Sequence, residues 1–240
     1  MNLEYAQQYR TLYTQHWWWR AREHYILNML RRLDLPQFAS ILDIGCGDAL
    51  FFDTLQHFGT PYGIEPNKNL LSDHSKWRQN IWSVPFDRDF DTEQRFDLIL
   101  MLDVLEHIDN DVDALQRAVR LLKPGGIILL TVPAMMSLWT NHDEINQHKK
   151  RYTQESLQKV IQKAGIRCER CRYYFVWAAL PKWFIHWRER FMGTPGKSPQ
   201  THIPNAFINW TLIWISRWDH RLFHHLPMPF GASLIAIGRQ

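Results

Sequence analysis

Apolar and polar positions along this chain follow two different periods. Between residues 3 and 33 apolar residues recur at helical spacing with no Pro or Gly, and Pro36 closes the stretch. Beyond residue 40 the pattern changes to short aliphatic runs separated by longer amphipathic ones. Residues 41–44, 62–64, 81–84, 97–102 and 127–132 read as strands. Residues 49–58, 67–75 and 109–122 read as helices, the last with Val112, Leu115, Val119 and Leu122 on one stripe. Thr153 is placed to cap a further helix that Gly165 ends; residues 167–175 then read as a sixth strand and 233–237 as a seventh. Strands alternating with helices predict an α/β fold built on a mostly parallel sheet with helices on both faces.

The first strand runs into Gly45-Cys-Gly47, and the second ends at Glu65, 18 residues beyond Gly47. Strand, tight turn, helix and a second strand ending in an acid make a nucleoside-binding unit. Glycines there let a ligand lie against the backbone, where a Cβ would collide with it. Glu65 is placed to accept hydrogen bonds from both hydroxyls of a ribose. The dinucleotide fingerprint needs a third small residue where this chain carries Leu50, so a single nucleoside without pyrophosphate fits better.

Three ordered motifs then carry a resemblance. Asp43-Ile-Gly-Cys-Gly47, the run from Phe96 through Leu102-Asp103-Val-Leu-Glu-His107 to Ile108, and Leu121-Leu-Lys-Pro-Gly-Gly126 resemble the signature of class I S-adenosylmethionine-dependent methyltransferases. The likeness covers roughly residues 12–172 and the last ten. It implies a Rossmann-like fold with a seven-stranded, mostly parallel sheet whose last two strands form an antiparallel hairpin. It also implies S-adenosylmethionine as cofactor, with Asp43, Gly45, Cys46, Gly47, Glu65, Leu102 and Asp103 around it. Ala49 stands where many members have a third glycine; alanine is small enough for binding to survive.

Methyl transfer from a sulfonium needs mainly alignment, plus a base when the acceptor is protonated at neutral pH. Candidate bases follow the fourth strand at His107, and follow the fifth at His142, Asp143 and His148. Trp139 could wall an acceptor, with Arg151 and Tyr152 anchoring it. Similar methyltransferases carry Trp-x-x-His-Asp and His-x-x-Arg-Tyr in this loop, and the quinone-type O-methyltransferases also have a Trp-rich N-terminal segment like Trp17-Trp18-Trp19. His107 fits a structural hydrogen bond as well as catalysis. No metal-ligand pattern is recognisable, and Cys168 with Cys171 form a lone C-x-x-C without a second pair.

Charge changes the picture in the second half. Residues 1–148 hold 13 Lys/Arg against 20 Asp/Glu, and residues 149–240 hold 15 against 4. The basic half suggests an anionic partner. A nucleic acid is disfavoured because the position after the fourth strand reads Leu-Asp-Val-Leu rather than the Asn/Asp-Pro-Pro-Tyr of amino-methylating enzymes. A non-catalytic protein retaining the fold is disfavoured by the intact glycine turn and Glu65.

Residues 176–230 carry two Trp-rich segments too short to span a bilayer, the second with Trp210, Trp214 and Trp218 at helical spacing. These fit contact with a membrane surface, a cap over the pocket, or a dimer interface. The organisation expected is a helical lid over residues 1–36, a cofactor-binding core over 37–175 plus 231–240, and an aromatic, basic insertion over 176–230. The acceptor expected is a small, lipophilic or lipid-linked molecule methylated at oxygen. The absence of an apolar leader-like run in residues 1–20 and the odd, low cysteine count favour a cytoplasmic protein, peripheral on the inner face of the membrane if the insertion binds lipid.

Overall fold

In the computed structural model, which describes residues 3–71, 75–193, 202–223 and 225–240, seven strands among the described residues form one sheet. They are β1 (Ala39–Ile44), β2 (Gly59–Ile64), β3 (Ile81–Trp82), β4 (Phe96–Leu102), β5 (Leu122–Pro133), β6 (Arg167–Tyr174) and β7 (Ser233–Arg239), in the order β3-β2-β1-β4-β5-β7-β6. The first five pair in parallel. Ala134 N donates to Ala232 O, and Gln240 N donates to Gly126 O. These partners run in opposite senses, so β7 is antiparallel to β5. Order reverses between β1 and β4, which makes the carboxyl ends of these strands the topological switch point where α/β sheets bind ligands.

Ile41, Leu42, Leu98, Ile99, Leu100, Leu129 and Leu130 are fully buried, as strands covered on both faces must be. Their register leaves a local irregularity. Phe96 lies opposite Leu122 but Leu98 opposite Ile127, so β5 begins five residues earlier than its apolar run suggested, with residues 123–126 bulging out of the pairing with β4. Gly125 takes φ 75° there, and a Cβ on Gly126 would stand 2.8 Å from the Lys123 carbonyl.

Other boundaries moved for local reasons. The helix expected over 49–58 is only α3 (Phe52–Leu55), because Ala49 adopts φ 54° and turns the chain before a longer helix can form. The second strand starts at Gly59, where a Cβ would collide with the Ala39 carbonyl. Residues 68–70 make one 3-10 turn, and 72–74 lie outside the described residues. The helix over 109–122 is α4 (Asp111–Arg120); it buries Ala114, Leu115 and Ala118, while Val112 and Val119 are half-buried and Leu122 belongs to β5. After the short α5 (Asn141–Ile145), α6 (Gln154–Lys163) packs on α4.

The chain divides into two compact units. One comprises residues 33–132, 154–171 and 235–240; the other comprises 1–32, 133–153 and 172–234. In the second unit the single N-terminal helix expected from periodicity is two. His16 separates α1 (Leu3–Gln15) from α2 (Trp17–Leu30), taking φ −73°, ψ 134°, and its Nδ1 accepts from Trp18 N. The three tryptophans leave on different bearings. Trp17 meets Trp177, Trp18 meets Phe175, and Trp19 packs against Tyr9 and Tyr13.

The same unit holds α7 (Val176–Met192) and α8 (Ala206–Phe223), which occupy the chain between β6 and β7. Helix α7 runs through Pro181, and Tyr173 and Tyr174 belong to β6. Phe175 before it takes φ 53° and is buried. Polar side chains of α8 hold its neighbours. Asn209 accepts from Trp17 N at 2.8 Å and donates to Gln15 O at 2.8 Å, clamping both sides of the α1–α2 break. Asp219 accepts from the Val176 and Trp177 amides, satisfying donors that the first turn of α7 leaves open.

The cap at His16 is pH-sensitive. Burial, then the nearby His202, lower its pKa to about 4. A depressed histidine pKa stabilises the fold fully above its unfolded value near 6.5 and loses that contribution as pH falls toward 4. Protonation also turns the Nδ1 acceptor into a donor and breaks the cap. We expect the urea midpoint to fall between those pH values, by an amount equivalent to about 3 kcal/mol from this residue. His16→Asn, which caps without titrating, should flatten that part of the profile; an unchanged profile would refute the assignment.

Candidate active site

At the carboxyl end of β1 the chain turns through Gly45 at φ 78° and Gly47 at φ 57°. A Cβ on Gly45 would stand 2.8 Å from Val104 Cγ2. The turn is stapled to the end of β2 by the backbone: Gly45 N and Cys46 N both donate to Ile64 O. Glu65 completes the staple. Its Oε2 accepts from Gly47 N at 3.0 Å and its Oε1 from Asn67 N at 2.8 Å. Burial raises the Glu65 pKa, and these two amides pull against that shift. A carboxylate has about four acceptor positions, so two amide bonds leave capacity for ribose hydroxyls.

The surroundings are acidic. Asp43, Asp48 and Glu65 are all buried; burial of the Cys46 thiol, and then these acids, push it far above its ordinary value. Beyond β4, half-buried Leu102 leads to Asp103, which takes φ 58°; its backbone N donates to Thr131 O and its Oδ1 accepts from Thr131 Oγ1. Glu106 follows, fully buried, on a 3-10 turn whose last residue, His107, is exposed. Such a field suits a nucleoside that carries positive charge and disfavours a pyrophosphate. The glycine turn, the acid at the end of β2 and the surrounding carboxylates fit a ribose-bearing sulfonium with an amino group.

The loop after β5 belongs to the second unit and is organised around Asp143. This side chain is fully buried. Arg151 grips it with two bonds, Nε to Oδ1 and Nη2 to Oδ2, both 2.9 Å, and spends another on Ala134 O. Asp143 also forms a capping box with Thr140. His148 Nδ1 lies 2.8 Å from Asp143 Oδ1. A carboxylate only accepts, so Nδ1 carries the proton and the lone pair of neutral His148 sits on Nε2. Burial alone would raise the Asp143 pKa, but the His148 hydrogen bond and the charges of Arg151 and Lys182 hold it well below the usual carboxylate range.

Residues 9–170 match the family model described as a methyltransferase domain. This chain belongs to the class I S-adenosylmethionine-dependent methyltransferases. Its cofactor is S-adenosylmethionine. Over 97 residues the methyltransferase is 30% identical to a ubiquinone biosynthesis O-methyltransferase of Rhodopseudomonas palustris, a match covering 38% of this chain and 38% of that protein. The matches span less than half the length of the curated relatives. Among solved structures, the fold resembles a complex between the Haloferax volcanii Trm112 methyltransferase activator and a putative methyltransferase, with TM-score 0.62 at 15% identity, covering 99% of this chain and 96% of that one. It also resembles a SAM-dependent methyltransferase from Archaeoglobus fulgidus, with TM-score 0.54 at 16% identity, covering 91% and 94%.

The methyltransferase redistributes the roles expected in the acceptor loop. Asp143 is not suited to be a base, because its oxygens are engaged and its affinity for a proton is low. The histidine it pairs with is His148, five residues on, rather than adjacent His142. His142 lies beside Asn146, and its pKa is pushed well below the ordinary value by burial and then by Lys182. Arg151 is buried on Asp143 instead of reaching for an acceptor, and Tyr152 is buried with its backbone bonded to Pro133 and Met135. Trp139 is half-buried, its indole donating to Glu144.

Sequence reasoning missed Glu189 of α7, buried and accepting from Asn141 N at 2.7 Å; an acid in a basic segment was the available signal. It also missed Asp48, a further acid in the glycine turn. In the C-x-x-C pair burial raises both thiols, Cys171 to about 12.

Asp143→Ala should cost about 3–5 kcal/mol, because Arg151 would remain buried without its partner. In the wild type the contribution of Asp143 is complete above the ordinary carboxylate pKa near 4 and is lost as pH falls toward its depressed folded value. Urea titrations at neutral pH check the magnitude, and a variant as stable as wild type would contradict this reading.

Proposed function

We propose that this methyltransferase acts on a hydroxyl oxygen of a small, lipophilic acceptor. The observation that carries the proposal is the His148–Asp143 pair in the loop after β5: a buried carboxylate fixes the imidazole tautomer, as a general base for an alcohol or phenol requires. The quinone-biosynthesis O-methyltransferases among the relatives support oxygen as the target and a lipophilic ring as the substrate class. Bound S-adenosylmethionine would supply a methyl group already activated on a sulfonium. The chain's own residues then have three tasks. Gly45, Cys46 and Gly47 leave room for the nucleoside, and Glu65 accepts from the ribose hydroxyls. Asp43, Leu102 and Asp103 complete that pocket, the acids favouring its positive charge. His148 takes the acceptor proton, with Asp143 as a positioning residue and Arg151 holding Asp143. Trp139 offers the acceptor a flat apolar surface, and His142 and His107 are the alternative bases.

Two experiments separate the parts of this reading. Glu65→Ala should weaken donor binding by roughly 2–4 kcal/mol, the worth of two hydrogen bonds to a charged acceptor. Isothermal calorimetry with S-adenosylmethionine measures it, and unchanged affinity would remove Glu65 from the site. His148→Ala should lower kcat by about 10²–10⁴ while donor affinity stays near wild type. Turnover can be followed with labelled donor and a total lipid extract, the product being identified by mass spectrometry. Wild-type turnover in His148→Ala would mean that the acceptor needs no base or finds it at His142 or His107.

A further inference from the structure

Helix α8 is amphipathic with its polar side turned inward. Asn209, Ser216 and Asp219 face the protein, and each bonds to a neighbouring segment: Asn209 to residues 15 and 17, Ser216 to the Trp177 indole, Asp219 to the amides opening α7. The outward side is apolar. Phe207, Trp210, Trp214 and Trp218 recur at helical spacing and are 77%, 61%, 50% and 41% exposed. Helix α7 repeats the arrangement. Leu180, Phe184, Trp187 and Phe191 fall on one stripe and are exposed, with Trp187 stacked on Phe191 and edge-on to Trp183. Exposed large side chains scattered singly need no explanation, but a continuous aromatic face on two adjacent helices does.

Charge selects the occupant. The only acids in α7 and α8 are Glu189 and Asp219, and both are buried in internal hydrogen bonds. The exposed charges are all basic. Arg188 and Arg190 flank the α7 stripe on either side, while Arg217 and Arg221 lie beside Trp214 and Trp218, Arg221 stacking over the Trp218 ring. No helix among the described residues is long and apolar enough to cross a membrane. Tryptophan prefers the headgroup level, and arginine beside it meets lipid phosphate. We propose that the outer faces of α7 and α8 form a docking surface for an anionic lipid bilayer, lying in its interface. The inference does not depend on the identity of the methyl acceptor.

Flotation of the full-length protein tests it, using vesicles of phosphatidylcholine alone and of phosphatidylcholine with an equal part of phosphatidylglycerol. The protein should float with the anionic vesicles at low salt, and less with the neutral ones. Trp210→Ser/Trp214→Ser/Trp218→Ser should abolish flotation, and Arg217→Ala/Arg221→Ala should weaken it about thirtyfold. Calorimetry with S-adenosylmethionine confirms that each variant is folded; should the triple variant fail it, the arginine pair carries the test. The proposal is overturned if wild type stays in the soluble fraction with anionic vesicles, or if folded variants float as wild type does. It is equally overturned if light scattering finds a dimer that ignores lipid and that the tryptophan substitutions dissociate, for then a second copy covers the face.

Discussion

The carboxylate of Glu65 sets the geometry of the glycine turn at the carboxyl ends of β1 and β2. It sits where β2 stops, one oxygen on the Gly47 amide and the other on the Asn67 amide, and so fixes the glycine turn relative to two parallel strands. Burial disfavours its charge, and the amides offset that cost. The turn held there takes left-handed backbone at Gly45 and Gly47, and Gly45 lies so near Val104 that a Cβ would collide with it. A glutamine could keep one of these bonds but would present an amide N–H₂ to the second amide, so the charge and the symmetry of the acid both matter.

Buried acids play a comparable part in the other compact unit. Asp143 ties the loop after β5 to itself, Glu189 receives the amide that opens α5, and Asp219 receives the amides that open α7. Each uses charge-assisted bonds to satisfy backbone or arginine donors that would otherwise be buried without partners. Two of the four acids of the C-terminal half, Glu189 and Asp219, are spent in the interior, and this is why the exposed charges of α7 and α8 are basic.

The order of strands, the glycine turn and the acid at the end of β2 were legible because each rests on local chemistry: aliphatic runs, backbone freedom and spacing. Boundaries were less so. The apolar periodicity of residues 3–33 runs straight through His16, and only the tertiary clamp from Asn209 shows why the helix breaks there. In the acceptor loop the residue types were identified, but their pairing was not. His142, Asp143 and His148 stood as separate candidates, and nothing in their spacing showed that His148, beyond the end of α5, pairs with the Asp143 carboxylate.

The position of β7 has a consequence for how the sheet is assembled. It lies between β5 and β6, although it is the last strand in the chain. Strand β6 therefore has no seat on β5; it joins the sheet only through β7, which begins 59 residues after β6 ends. During synthesis β1 to β5 can pair as they emerge, while β6 and the helices after it must wait for residues 233–239 to insert. This is a long loop to close before any ladder bond is gained, so the closing of the sheet is a late, non-local event.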